Sequence, residues 1–199
     1  MLTALLRPRC RIPLGEPDPN GRIWPQVEPL PALDCAWPPG LDVPRTEVRA
    51  LAGAKALYVR FDCYLQDPAR LAPRIPSQPL AEGEHAYFCV HPLNDPTDRW
   101  CFKVDYRGVN EVTRHRRMPG EMSLEQVPDL WQTSSPAGLL PAEYRVFHGL
   151  TRAKWSAEVV VPWHMLGLPG RPPVVGLDFS RVFATGRKWP LLADANWPG

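Results

Sequence analysis

Apolar and polar residues alternate in steps of two, in runs repeatedly closed by proline, and this feature leaves the chain least freedom in how it folds. From Trp155 to Val161, the residues Trp155, Ala157, Val159 and Val161 fall on one face, with Ser156, Glu158 and Val160 on the other. That is the pattern of a half-buried strand. Pro162 cannot donate to a ladder and ends the run. After a short turn through Leu166-Gly167, a second strand is expected over Val174–Phe183, less regular because Asp178, Ser180 and Arg181 interrupt its apolar residues. The stretch Ala56–Leu65 is cleaner still: Leu57, Val59, Phe61, Cys63 and Leu65 point one way, and Tyr58, Arg60, Asp62 and Tyr64 the other. The first set is a core face. The second is either a solvated face with cross-strand pairs or the floor of a polar groove.

The 26 prolines and 14 glycines of the 199 residues are spread among the apolar runs, so they mark many turns and little helix. Further strands are expected at Thr46–Leu51, His85–His91, Trp100–Tyr106, Val109–Arg116 and Glu143–Leu150. Trp100 to Arg116 reads as a long hairpin turned at Arg107-Gly108. Met118–Ala142 reads as a loop containing Trp131 and a short helix at Ser123–Val127, and a loop of that length is either functional or hides an element. The tail Ala184–Gly199 holds Trp189 and Trp197 in loop context. Residues 1–22 read as a flexible or edge segment, followed by a single domain over 23–199. Within that domain residues 23–45 wrap the body as extended chain, with Trp24 and Trp37 covering sheet surface. Seven to nine strands with almost no helix fit an all-β fold, a two-sheet antiparallel β-sandwich of jelly-roll type.

A net charge of +2 offers no electrostatic case for nucleic acid or an anionic membrane. The short basic run Arg114–Arg117 reads as a solvated strand end. No apolar run approaches the roughly 18 residues of a membrane span. The apolar patch before Arg7 is shorter than a signal h-region, so the chain as written is expected in the cytoplasm, or secreted or periplasmic if its start is mis-assigned. Cysteines 10, 35, 63, 89 and 101 are odd in number and lack CxxC spacing, which favours reduced thiols.

The order of these motifs resembles the family 9 carbohydrate-binding modules, within the DOMON-like β-sandwiches. The resemblance spans roughly Glu47–Pro190. It comprises Leu57-Tyr58-Val59-Arg60-Phe61, a strand ending in His91-Pro92, and the hairpin of Trp100, Phe102, Val104, Asp105 and Gly108. It closes on Trp155, Ala157-Glu158-Val159, Val161-Pro162, Leu166-Gly167, Gly176, Asp178 and Ser180-Arg181. In such modules a sugar end-group is gripped between tryptophan rings while carboxylate, amide and arginine groups bond its hydroxyls. The resemblance implies a ligand site containing Trp189, the C-terminal loop aromatic, with Arg181, Glu84 and Trp131 as polar or stacking partners. It departs from the family at Tyr87, which stands where a second carboxylate is common, and in loop 66–83, which has no aromatic. The calcium sites of some relatives have no counterpart that can be placed.

No cofactor, metal or catalytic residue is assigned. His85, Cys89 and His91 share one face of a strand, but positions i and i+4 lie roughly 13 Å apart, too far to close a zinc site. Glu84 with Glu158 would serve as a glycosidase pair only at about 5–9.5 Å. Glu158 is more simply solvated or paired with an arginine on the next strand. Catalytic motifs such as G-x-S-x-G, the P-loop and H-E-x-x-H are absent. Two functions follow: a non-catalytic module that recognises a mono- or oligosaccharide, or a DOMON-like sandwich without sugar binding that meets a protein partner or serves as a structural module.

Overall fold

A computed structural model describes residues 12–17, 23–30, 34–35, 44–66, 71, 84–95, 97–117, 131–134, 140–184 and 192–196. The strands are β1 (Asp34–Cys35), β2 (Thr46–Ala52), β3 (Ala56–Tyr64), β4 (His85–His91), β5 (Asp98–Asp105) and β6 (Asn110–Arg117). They continue with β7 (Trp131–Ser134), β8 (Arg145–Leu150), β9 (Lys154–Pro162), β10 (Gly176–Ala184) and β11 (Leu192–Asn196). They form a large sheet in the order β1-β11-β10-β4-β5-β6-β7 and a small one in the order β2-β3-β9-β8. Every pair among these strands is antiparallel. The fold is an all-β sandwich.

The alternating faces predicted for β3 and β9 lie where expected. Leu57, Val59, Phe61 and Cys63 of β3, and Trp155, Ala157, Val159 and Val161 of β9, are almost wholly buried between the sheets. From the large sheet Ala86, Phe88, Val90, Phe102, Val104, Val112 and Phe179 meet them. Phe88 stacks on Phe102 with ring centroids 4.9 Å apart, and Phe61 reaches across to Phe88 and Phe179 at 6.2 Å. The core is therefore a set of stacked, tilted and edge-on aromatic contacts flanked by β-branched residues.

The Trp155–Phe183 stretch supplies a strand to each sheet, because the turn after Pro162 carries the chain from β9 in the small sheet to β10 in the large one. Two elements read as loop are strands. Trp131–Ser134 pairs with the end of β6, and Leu192–Asn196 pairs with both β10 and β1. Both are short (WQTS and LADAN), and the only alternation in them is of alanine with polar residues in LADAN, too brief to read as a strand. The proposed helix at 123–127 lies outside the described residues, as do Trp37 and Trp197.

Residues 23–30 cover the outer face of the small sheet, as expected, although Trp24–Gln26 form a 3-10 turn rather than extended chain. Trp24 and Val27 are buried there with Leu51, packed against Ile23 and Tyr58. Further upstream Leu14 makes a parallel bridge to Ala52, an edge contact.

The expectation of reduced thiols is corrected at one pair. Cys89 and Cys101 lie directly opposite each other across β4 and β5, with Cα atoms 4.2 Å apart, and form a disulfide. Pairing depended on register across a hairpin, which CxxC spacing does not report. Cys63 is free and buried, and burial pushes its thiol up to about 12. His91 Nε2 lies 2.8 Å from Asp178 Oδ2. Among the described residues, no three His, Cys, Asp or Glu side chains are grouped to hold a metal ion.

Candidate functional site

The polar side chains concentrate at the end of the sandwich where β9 begins and where β3, β5 and β10 end. Here Arg181 is wholly buried on the inner face of β10, opposite Ala86. A buried guanidinium needs its charge and its donors satisfied. Arg181 Nη2 donates to Glu84 Oε1 at 2.5 Å and to the Tyr64 carbonyl at 3.1 Å. Nη1 donates to Thr46 Oγ1 at 3.0 Å and to the Arg45 carbonyl at 3.4 Å. The same Glu84 oxygen accepts from Trp155 Nε1 at 2.5 Å. One arginine thus joins the large sheet to the first residues of β2 and the last of β3.

A second buried pair lies beside it. Asp105 accepts from Arg107 Nε at 2.5 Å and from the backbone amides of Arg107 and Val109 at 2.9 and 3.0 Å. These bonds shape the β5–β6 turn. Gly108 closes the turn at φ 81°, where an added Cβ would collide with the His148 ring. Only glycine combines that left-handed backbone with so close an approach.

On the outer face of the small sheet, three cross-strand rows alternate in charge. Arg45, Tyr64 and Lys154 form the row at the sandwich end, then come Glu47, Asp62 and Ser156, then Arg49, Arg60 and Glu158. Asp62 receives Arg49 at 3.0 Å, Arg60 at 3.2 Å and Lys154 at 2.8 Å. Burial works against its ionisation, but the hydrogen bonds from Arg60 and Lys154 outweigh that and hold the carboxyl below its ordinary range. Glu47 pairs with Arg45 and Arg49. This face is a paired ionic network rather than a freely solvated surface. Glu158 lies across from Arg60, as one of the two sequence readings had it, but its carboxylate also accepts Trp24 Nε1 at 2.7 Å. Burial raises its pKa, partly offset by that bond and by Arg60.

Of the four residues expected to bind ligand, Glu84 and Arg181 are together, in direct contact and bonded inward. Trp189 lies outside the described residues. The connection that carries it leaves β10 at Ala184 and returns at Leu192, two residues beyond Val182, which pairs with His85. That is the Glu84 end of the sheet. Trp131 opens β7 opposite Arg117, whereas β6 meets the Glu84 end at Asn110. Seven residues of strand separate those ends, on the order of 20 Å, so the sheet register does not bring Trp131 to Glu84. Glu158 and Glu84 lie on opposite faces of the small sheet, one outside and one between the sheets, and do not form an acid pair. Arg114 of the basic run pairs with Asp98 at 2.6 Å and lies over the Trp100 ring at 4.8 Å. The sequence reading missed the roles of Arg45, Lys154 and Thr46. Polar alternation in β3 pointed to their neighbours, but only the register joins them.

No protein-family model matches the chain, and no curated protein matches it. Solved structures do. A family 9 carbohydrate-binding module from Caldicellulosiruptor kristjanssonii in complex with glucose aligns with a TM-score of 0.58 at 15% identity, over 93% of this chain and 83% of that one. The module from that organism in complex with cellotriose aligns at 0.56 and 15% identity, over 94% and 80%. A protein from Bacteroides uniformis, described as a candidate carbohydrate-binding protein, aligns at 0.58 and 11% identity, over 92% and 84%. Two packed antiparallel sheets, matched across nearly the whole length, give this chain the fold of the family 9 carbohydrate-binding modules.

Proposed function

We propose that this protein is a non-catalytic carbohydrate-binding module that recognises a mono- or oligosaccharide by aromatic stacking and hydroxyl hydrogen bonds. The observation that carries the reading is the match over more than nine-tenths of the chain to modules in complex with glucose and with cellotriose. Trp189 is its stacking residue. The connection carrying Trp189 springs from the sheet end where Glu84, Arg181, Asp105 and Arg107 concentrate charge. Arg181 and Glu84 support that end from inside the sandwich. The Cys89–Cys101 disulfide supports maturation in an oxidising compartment, where such bonds form and persist.

One observation favours the rival reading of a sandwich that serves as an interaction or structural module: the Glu84 and Arg181 contacts described above are all internal. Titration of the full chain with glucose, cellobiose, cellotriose, xylose and xylobiose, followed by tryptophan fluorescence, separates the two. A saturable change that Trp189→Ala abolishes supports sugar binding. A flat response from protein shown to be folded by circular dichroism supports the rival.

A further inference from the structure

We propose that the row Arg45–Tyr64–Lys154 binds the anionic group of an acidic saccharide, a uronate carboxylate or a sulfate ester; this rests on the carbohydrate-binding reading and names its ligand class. Tyr64 stands in the middle of the row. The guanidinium of Arg45 lies 5.2 Å from its ring centroid and the ammonium of Lys154 lies 5.5 Å from it. The two cations reach solvent: the Arg45 side chain is 70% exposed and that of Lys154 is 31% exposed. The acids that pair with them stand one row inward and are nearly buried, Glu47 at 9% and Asp62 at 4%. An approaching ligand therefore meets two cations and an aromatic ring first, with the carboxylates behind them.

The row is also held in place from beneath. Arg181 bonds the carbonyls of both Arg45 and Tyr64, and the Tyr64 amide donates to the Arg45 carbonyl at 2.9 Å. Backbone held this way reduces the ordering that binding would otherwise require. Arginine presents a planar fork to carboxylate and sulfate oxygens, and lysine a point charge. The tyrosine ring between them offers a face or edge to sugar C–H groups. Hydroxyls alone would not need a cation on either side of the ring, Arg45 exposed and Lys154 half-buried. A carboxylate or sulfate on the sugar would.

The test is calorimetric titration of the full chain with trigalacturonate, its methyl ester, a heparin-derived sulfated disaccharide, cellotriose and inorganic sulfate. Binding of either acidic saccharide at least tenfold tighter than the ester or cellotriose, weakening as salt is raised, supports the proposal; the tighter of the two names the group recognised. Arg45→Gln and Lys154→Gln are each expected to weaken acidic-sugar binding about tenfold, the scale of one charge-assisted hydrogen bond. Lys103→Gln, on the outer face of the large sheet, leaves it unchanged. Equal affinity for acid and ester, or unaltered affinity in both variants, overturns the proposal. Competition by inorganic sulfate at the same concentration overturns it too, because the patch then reads charge rather than sugar. Cellotriose binding with no preference for acid overturns this proposal alone and leaves the carbohydrate reading intact, whereas no binding by any saccharide removes both.

Discussion

The two ends of β9 each bury a tryptophan, and they do so by opposite means. At the start Trp155 donates its indole N–H to the carboxylate of Glu84, which Arg181 also holds. At the far end Trp163 donates to the Gly53 carbonyl at 3.0 Å and packs with Leu166 and Leu168 in the main core. Both rings are at most 1% exposed. One end is closed by a buried ion pair, the other by a neutral hydrogen bond and apolar contacts. Hydrophobic residues of similar volume would often close a sheet end at no loss of stability. The charged closure of Trp155 lies beside the connections that follow β3 and β10, at the end that also carries the Arg45–Tyr64–Lys154 row.

The largest expected effect breaks this difference directly. Arg181→Met leaves Glu84 without its guanidinium partner and should lower stability by about 3 kcal/mol. The double variant with Glu84→Gln should recover part of the loss. Trp163→Phe, which removes one neutral hydrogen bond at the other end, should cost about 1 kcal/mol. Urea unfolding of the three variants checks the order, and equal losses in Arg181→Met and Trp163→Phe would make the two ends energetically alike.

Of comparable size is the disulfide, which belongs to neither end and sits mid-sheet. Cys89→Ser with Cys101→Ser opens a link of sequence separation 12 and should cost about 3 kcal/mol by loop-closure entropy. Reduction of the wild type should reproduce the shift in urea midpoint. A midpoint unmoved by either treatment would mean that the ladder alone holds β4 to β5.

The smallest effect sharpens the electrostatic side of the comparison. Burial raises the Glu158 pKa above its ordinary value of 4.5, so the folded state holds the proton more tightly than the unfolded chain. Its stabilising contribution is complete below pH 4.5 and is lost as pH rises through the folded value. Glu158→Gln keeps an acceptor for Trp24 and does not titrate. Its melting temperature relative to wild type should therefore rise as pH is raised above 4.5, and a constant difference would refute the assignment.

Much of the fold was legible because a strand buried on one face writes its period into the chain. The core positions of β3 need no tertiary information: Leu57, Val59, Phe61 and Cys63 alternate with Tyr58, Arg60 and Asp62. Proline closes β9 where a ladder donor is missing. The strands β7 and β11 were illegible for the converse reason, since four or five residues are too few to establish a period. The site was less legible still. Arg181 was named as a ligand contact only through the family resemblance, and in the structure it is wholly buried and joins the two sheets.

By itself the sequence determined the all-β class, the two core-facing strands at the centre of the small sheet, the hairpin turned at Gly108 and the resemblance to family 9 modules. Those depend on local pattern and on residue types with strong backbone preferences. Only the tertiary structure decided that β9 and β10 lie in different sheets, that Cys89 meets Cys101, and that Arg45, Tyr64 and Lys154 form one row. Each of these depends on register between segments distant in sequence, and register is set by how whole faces pack together rather than by any one segment.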